Sequence, residues 1–106
     1  MTELERKTIE IANHFGLESQ MDVAQEECAE LVQAISKLRR VMQTGLETSE
    51  QRVAYIAARG HVAEEMADVL NLLLQLAELL NNHETVRLWL NQKHERTLDK
   101  IAKGEL

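Results

Sequence analysis

The chain has 106 residues and a mass of 12.1 kDa, which is room for a single domain. With no proline, four glycines, 3% aromatic and 44% hydrophobic residues, it lacks the turn-rich, β-branched and aromatic alphabet of a small sandwich or barrel, which leaves an all-helical protein. Eighteen acids against 12 bases and a formal charge of -6 exclude a nucleic-acid-coating surface, and so few aromatics leave little for base stacking.

Four helical segments are expected, with no linker to divide domains, so residues 1–106 form one unit. The first runs from about Glu3 to Phe15, with Gly16 accepting the left-handed conformation that ends it. The second begins after Ser19, with Asp22 three residues on as a capping-box variant. It carries Ala24, Cys28, Leu31, Ile35, Leu38 and Met42 at alternating spacings of four and three, an amphipathic stripe, and Gly45 closes it. Thr48 and Gln51 make another capping box, which opens a stretch from Glu50 to Arg59. Gly60 is then either a break or a weak point. The third main helix is expected from about His61 to Leu80, and the fourth from about Glu84 to Ala102. Asn81 or Asn82 caps the fourth, and Val86, Leu90, Leu98 and Ile101 are its core face.

The single Cys28 fits a reducing compartment, and its place on the stripe marks it as a small buried residue. Residues Met1 to Lys7 contain no apolar signal core. The greasiest run, Val69 to Leu80, is too short to span a bilayer. A soluble cytoplasmic protein without membrane or nucleic-acid partners is expected.

The acids divide by face, because each residue turns an α-helix by about 100°. In the third helix Glu64, Asn71, Gln75 and Glu78 form a polar stripe opposite Val62, Met66, Val69, Leu70, Leu73, Ala77 and Leu80. Glu65 and Asp68 instead interrupt a flank shared with Leu72, Leu76 and Leu79. In the second helix Glu26 lies about 160° from the centre of the apolar stripe and faces water, whereas Glu27 is only about 60° away and Glu30 follows on the same flank. Two helices thus each carry an i, i+3 carboxylate pair bordering the core. Such a set repels itself unless a cation neutralises it. A hard divalent ion suits oxygen ligands and keeps waters for a phosphate. Di-iron bundles use Glu-x-x-His pairs, and only the reversed His61-x-x-Glu64 occurs here. His61 and His94 therefore read as surface and packing residues, and Trp89 and Tyr55 as packing aromatics.

Glu26-Glu27-Cys28-Ala29-Glu30-Leu31 followed by Glu65-Met66-Ala67-Asp68-Val69 resembles the EExxE…ExxD signature of the MazG-like all-α nucleoside triphosphate pyrophosphohydrolases. The approach from His14 to Gln20 and the run from Leu31 to Lys37 are also similar to small single-domain members. The resemblance implies a four-helix bundle and cleavage between the α and β phosphates to give a nucleoside monophosphate and pyrophosphate. It implies Glu27, Glu30, Glu65 and Asp68 as ligands of Mg²⁺, with Mn²⁺ as a substitute. Glu27, nearest the core, is the choice to orient or deprotonate the attacking water. Basic Lys93, Arg96 and Lys100 match the place where the family carries phosphate-facing cations, and Gln20 and Asn71 are candidates for base or sugar contacts. The 34 residues between Glu30 and Glu65 are long for the family, and Thr48 to Arg59 looks like the extra length.

The third helix is apolar over more of its circumference than one partner face buries, so a homodimer or homotetramer is expected. Competing readings are a non-enzymatic helical adaptor or dimerisation module and, among enzymes, a phosphoribosyl-ATP pyrophosphohydrolase or a dimeric dUTPase relative.

Overall fold

The computed structural model describes residues 1–106 as four helices, α1 (Glu3–Phe15), α2 (Leu17–Thr44), α3 (Ser49–Leu80) and α4 (His83–Ala102), with no strand. The all-α expectation holds, but two boundaries move. Helix α2 starts at Leu17, directly after α1, so Ser19 and Asp22 lie inside the helix and do not cap it. A single residue makes the corner. Gly16 adopts φ 87°, donates to Ala12 O and accepts from the Gln20 N–H, a backbone state that a side chain would strain.

The second change is that α3 runs unbroken through Gly60 for 32 residues. One glycine costs a helix about 1 kcal/mol. The packing of Ala58 and Val62 on either side, both withdrawn from solvent, outweighs it. At the start of α3 the Thr48–Gln51 capping box forms as read. Gln51 also binds the α2–α3 loop, accepting from the Glu47 and Thr48 N–H groups and donating to Thr44 O at the end of α2. Arg52 adds bonds to the carbonyls of Leu46 and Glu47. At the other end of α3, Asn81 is its left-handed C-cap. Asn82 then precedes α4 without making a side-chain cap bond.

Helices α2 and α3 form a long antiparallel hairpin. Gln20 Nε2 donates to Gln75 Oε1 across it, Glu30 approaches Glu65, and Ala34 shares a cleft with His61. One number falls as the other rises. Helix α1 lies against this pair, whereas α4 touches only α3 and buries no residue. The core is thin. Its buried apolar members are Ala12, Ala24, Ala34, Ala58 and Leu72, joined by Gln20, Glu65 and Gln75.

Several expected core residues therefore lie on the surface. Cys28 is exposed, as are Ile35 and Met42 of α2 and Met66, Leu70, Leu73 and Leu80 of α3. The proposed inner face of α4, Val86, Leu90, Leu98 and Ile101, is exposed too, and so are His94 and Trp89. The reason is geometric: α4 has no second helix to lie against, and only one side of α2 meets α3. The radius of gyration is 17.9 Å, against about 13 Å for a compact chain of this length.

A β-carbon at Gly60 would meet nothing within 4 Å. Gly60→Ala should therefore stabilise the protein by about 1 kcal/mol, read as a higher urea midpoint at unchanged m-value.

Candidate active site

The inward row of α2 is Gln20, Ala24, Glu27, Leu31, Ala34 and Leu38, all buried or half-buried. Opposite it, α3 presents Ala58, Val62, Glu65, Val69, Leu72 and Leu76, again all withdrawn from solvent. Both rows alternate steps of four and three, the spacing of a helix–helix seam. Glu27 and Glu65 occupy seam positions where an apolar side chain would ordinarily pack. The flank read from the sequence forms the buried contact face together with Val62 and Val69 of the broader apolar side, whose Met66, Leu70, Leu73 and Leu80 face outward. Glu26 and Glu64 are exposed, which agrees with the face calculation.

One carboxylate oxygen each from Glu27, Glu30 and Glu65 falls within 4.8 Å of the others. Asp68 lies outside this trio and is half-buried one turn after Glu65. Its charge still reaches Glu27 and Glu65. Burial, together with the charges of Glu30, Asp68 and Glu65, pushes the Glu27 carboxyl from an ordinary 4.5 up to about 7. Burial raises Glu65 as well, helped by Glu30 and Asp68 and opposed by His61. The His61 Nε2 stands 3.8 Å from Glu65 Oε1, close enough to bias the carboxylate but long for a hydrogen bond.

Two acceptors are left over. Glu27 Oε2 and Glu65 Oε2 are both buried and have no hydrogen-bond partner. A buried carboxylate oxygen without a donor is costly, and two in one cluster cost more. A hard cation satisfies both, since it bonds to carboxylate oxygens without needing a proton. The donor set fits such an ion: it is all oxygen, clustered and anionic.

The remaining candidate residues are not gathered here. Gln20 is buried and engaged with Gln75, a residue expected on the polar stripe but itself buried. Asn71 is exposed. Lys93, Arg96 and Lys100 are exposed on α4 and do not line the cleft beside the carboxylates. Lys93 instead lies 5.9 Å from the centre of the Trp89 ring, a cation–π contact. Residues 49–59 form the first part of α3 and leave the cleft wall to His61.

The cations that do line that cleft are Lys37 and Arg40 of α2, with Gln33 and His61 beside them. The sequence carries a signal for them: Gln33, Lys37 and Arg40 follow Glu30 at steps of three, four and three, hence on its face of the helix.

No helix is long and apolar enough to cross a membrane. Neither the curated proteins nor the solved structures contain a match to the chain. The family model described as the MazG nucleotide pyrophosphohydrolase domain matches residues 15–104, which include both carboxylate pairs and all but the first helix. The chain therefore belongs to the MazG nucleotide pyrophosphohydrolase family, hydrolases that act on acid anhydrides.

Proposed function

We propose that the protein hydrolyses a nucleoside triphosphate between its α and β phosphates, with Mg²⁺ held by Glu27, Glu30, Glu65 and Asp68. The observation that carries this reading is the pair of buried, partnerless oxygens on Glu27 and Glu65. Mn²⁺ offers the same hard-ligand chemistry and would substitute. Bound at this cluster, the metal would neutralise phosphate charge and lower the pKa of the attacking water.

The protein's own groups have distinct tasks. Glu27 sits on the contact face of α2 and accepts the proton of the water. The water oxygen forms a bond to the α-phosphorus, and the bond from that phosphorus to the bridging oxygen breaks. The electron pair leaves with pyrophosphate, and the nucleoside monophosphate remains. Glu30 and Asp68 keep the site anionic enough to retain metal, and His61 offsets part of the Glu65 charge from 3.8 Å away. The base and sugar contacts assigned to Gln20 and Asn71 have no support in the geometry, because Gln20 is committed to Gln75.

The uncovered apolar surface supports a homo-oligomer, a dimer or a dimer of dimers. In such an assembly the exposed rows of α3 and α4 are covered by a second copy, and Lys93, Arg96 and Lys100 of α4 come to phosphate only if assembly carries them there. Light scattering should give a mass of at least twice 12.1 kDa; a monomer at micromolar concentration would contradict the assembly.

Pyrophosphate release across a panel of nucleoside triphosphates with millimolar Mg²⁺ tests the reaction. Glu27→Gln should lose ~100-fold or more in kcat, and Glu65→Gln should lose activity with metal affinity. Glu26→Gln and Glu64→Gln should retain the parent rate. Metal at 100 times its dissociation constant adds about 2.7 kcal/mol of stability, which a thermal shift detects in the parent and not in Glu65→Gln. A non-enzymatic helical module would release no pyrophosphate and would not respond to metal.

Stability should also depend on pH when metal is chelated. The folded state keeps a proton on Glu27 up to about pH 7, whereas the unfolded chain releases it near 4.5. Between those values the folded state binds more protons, so stability falls as pH rises and levels off above about 7. Scanning fluorimetry in chelator should show this decline. It should be shallower in Glu27→Gln.

A further inference from the structure

The cleft beside the carboxylates has a volume of about 500 Å³ and is polar: Glu30 and Glu65 contribute to its wall together with Lys37, Arg40, Gln33 and His61. The helical rise sets Lys37 about 10 Å and Arg40 about 15 Å beyond Glu30 along α2. Their flexible side chains can extend back along the helix. Neither forms an ion pair, although Glu30 and Glu65 line the same cleft. The negative end of the α2 dipole favours cations near Thr44, but that alone would treat Arg39 and Arg40 alike. Only Arg40 lines the cleft.

We propose that Lys37 and Arg40 bind the β and γ phosphates, so that the leaving pyrophosphate lies along the C-terminal half of α2. This rests on the reaction proposed above and gives the substrate a direction. The α-phosphate sits at the carboxylates, the pyrophosphate half extends towards Arg40, and the nucleoside points the opposite way. The charge distribution favours this direction. Metal offsets the carboxylates and the α-phosphate, whereas the departing pyrophosphate gains negative charge as the bond breaks and needs fixed cations of its own. Arg40 offers a planar fork and Lys37 a mobile point charge, two complementary ways of holding phosphate oxygens. The Gln33 amide and the His61 ring add donors between them and the metal ligands.

Direct binding of inorganic pyrophosphate at saturating Mg²⁺, measured by calorimetry, tests this independently of turnover. Lys37→Ala and Arg40→Ala should each weaken pyrophosphate about tenfold. Affinity for nucleoside monophosphate should change by less than about twofold, and Lys37→Arg should recover most of the loss. Arg39→Ala is the control and should behave as the parent. All of these side chains are exposed, and circular dichroism confirms that the helices persist. Pyrophosphate affinity unchanged in both alanine variants overturns the proposal, as does a loss confined to the monophosphate or an equal loss in Arg39→Ala. A parent that binds no pyrophosphate overturns it as well. A parent that releases pyrophosphate while the variants bind it normally removes this assignment and leaves the reaction intact. A parent that cleaves no nucleotide, yet binds pyrophosphate through Lys37 and Arg40, removes the reaction and leaves the anion site.

Discussion

Two glutamates stand where a helix hairpin would ordinarily place leucines, and the rest of the molecule is arranged around that cost. Glu27 and Glu65 occupy successive seam positions of α2 and α3. Neither can turn to water without giving up its place between the helices. Desolvation and mutual repulsion both raise the price of ionisation, which is why the Glu27 carboxyl rises to about 7. A protein that only needed stability would remove these side chains. Keeping them leaves an acidic recess between the helices, where the proposed metal would bind.

The alanines make that recess possible. Ala24 and Ala34 flank Glu27 on α2, and Ala58 precedes Glu65 on α3, all of them buried. Small residues let two helices approach closely, so short carboxylate side chains from opposite backbones can meet. The same choice leaves the chain poor in buried volume. Larger apolar residues lie on the outer faces, where nothing within the chain covers them. Site and surface are therefore two results of one distribution of side-chain size. The seam is narrow and polar at its centre, and the outside is broad and greasy.

Much of this was legible in the residues. Composition excluded sheet, glycines and capping residues marked three of the four helices closely, and the carboxylate pairs separated from Glu26 and Glu64 by arithmetic on helical angle alone. What periodicity could not decide was which of two apolar faces turns inward. Helix α3 carries two, and on the single stripe of α2 the edge with Cys28, Ile35 and Met42 looks as much like core as the edge with Ala24, Leu31 and Leu38. The inward rows contain polar residues, so a search for unbroken hydrophobicity passes them over. For that reason the sequence pattern sets Gln75 on the polar stripe and offers Gln20 as a ligand contact, although both are buried in the seam. Gly60 was ambiguous because helix propensity is a small term that packing on either side overrides. Spacing places Lys37 and Arg40 on the Glu30 face of α2, but only the cleft made with α3 singles that face out.

The Gln20–Gln75 hydrogen bond gives the hairpin something its alanines cannot. The apolar seam positions alone oppose sliding weakly, since alanine, valine and leucine recur along both rows. A shift of one heptad would carry Glu30 about 10 Å along the axis, dispersing the carboxylates while leaving most of the packing satisfied. The same shift would pull Gln20 away from Gln75 and end the buried amide–amide bond between them. Ten residues from Glu30 along α2 and ten from Glu65 along α3, the amide pair thus works as an index mark: it touches no part of the acidic recess, yet it sets which turn of one helix is allowed to face which turn of the other.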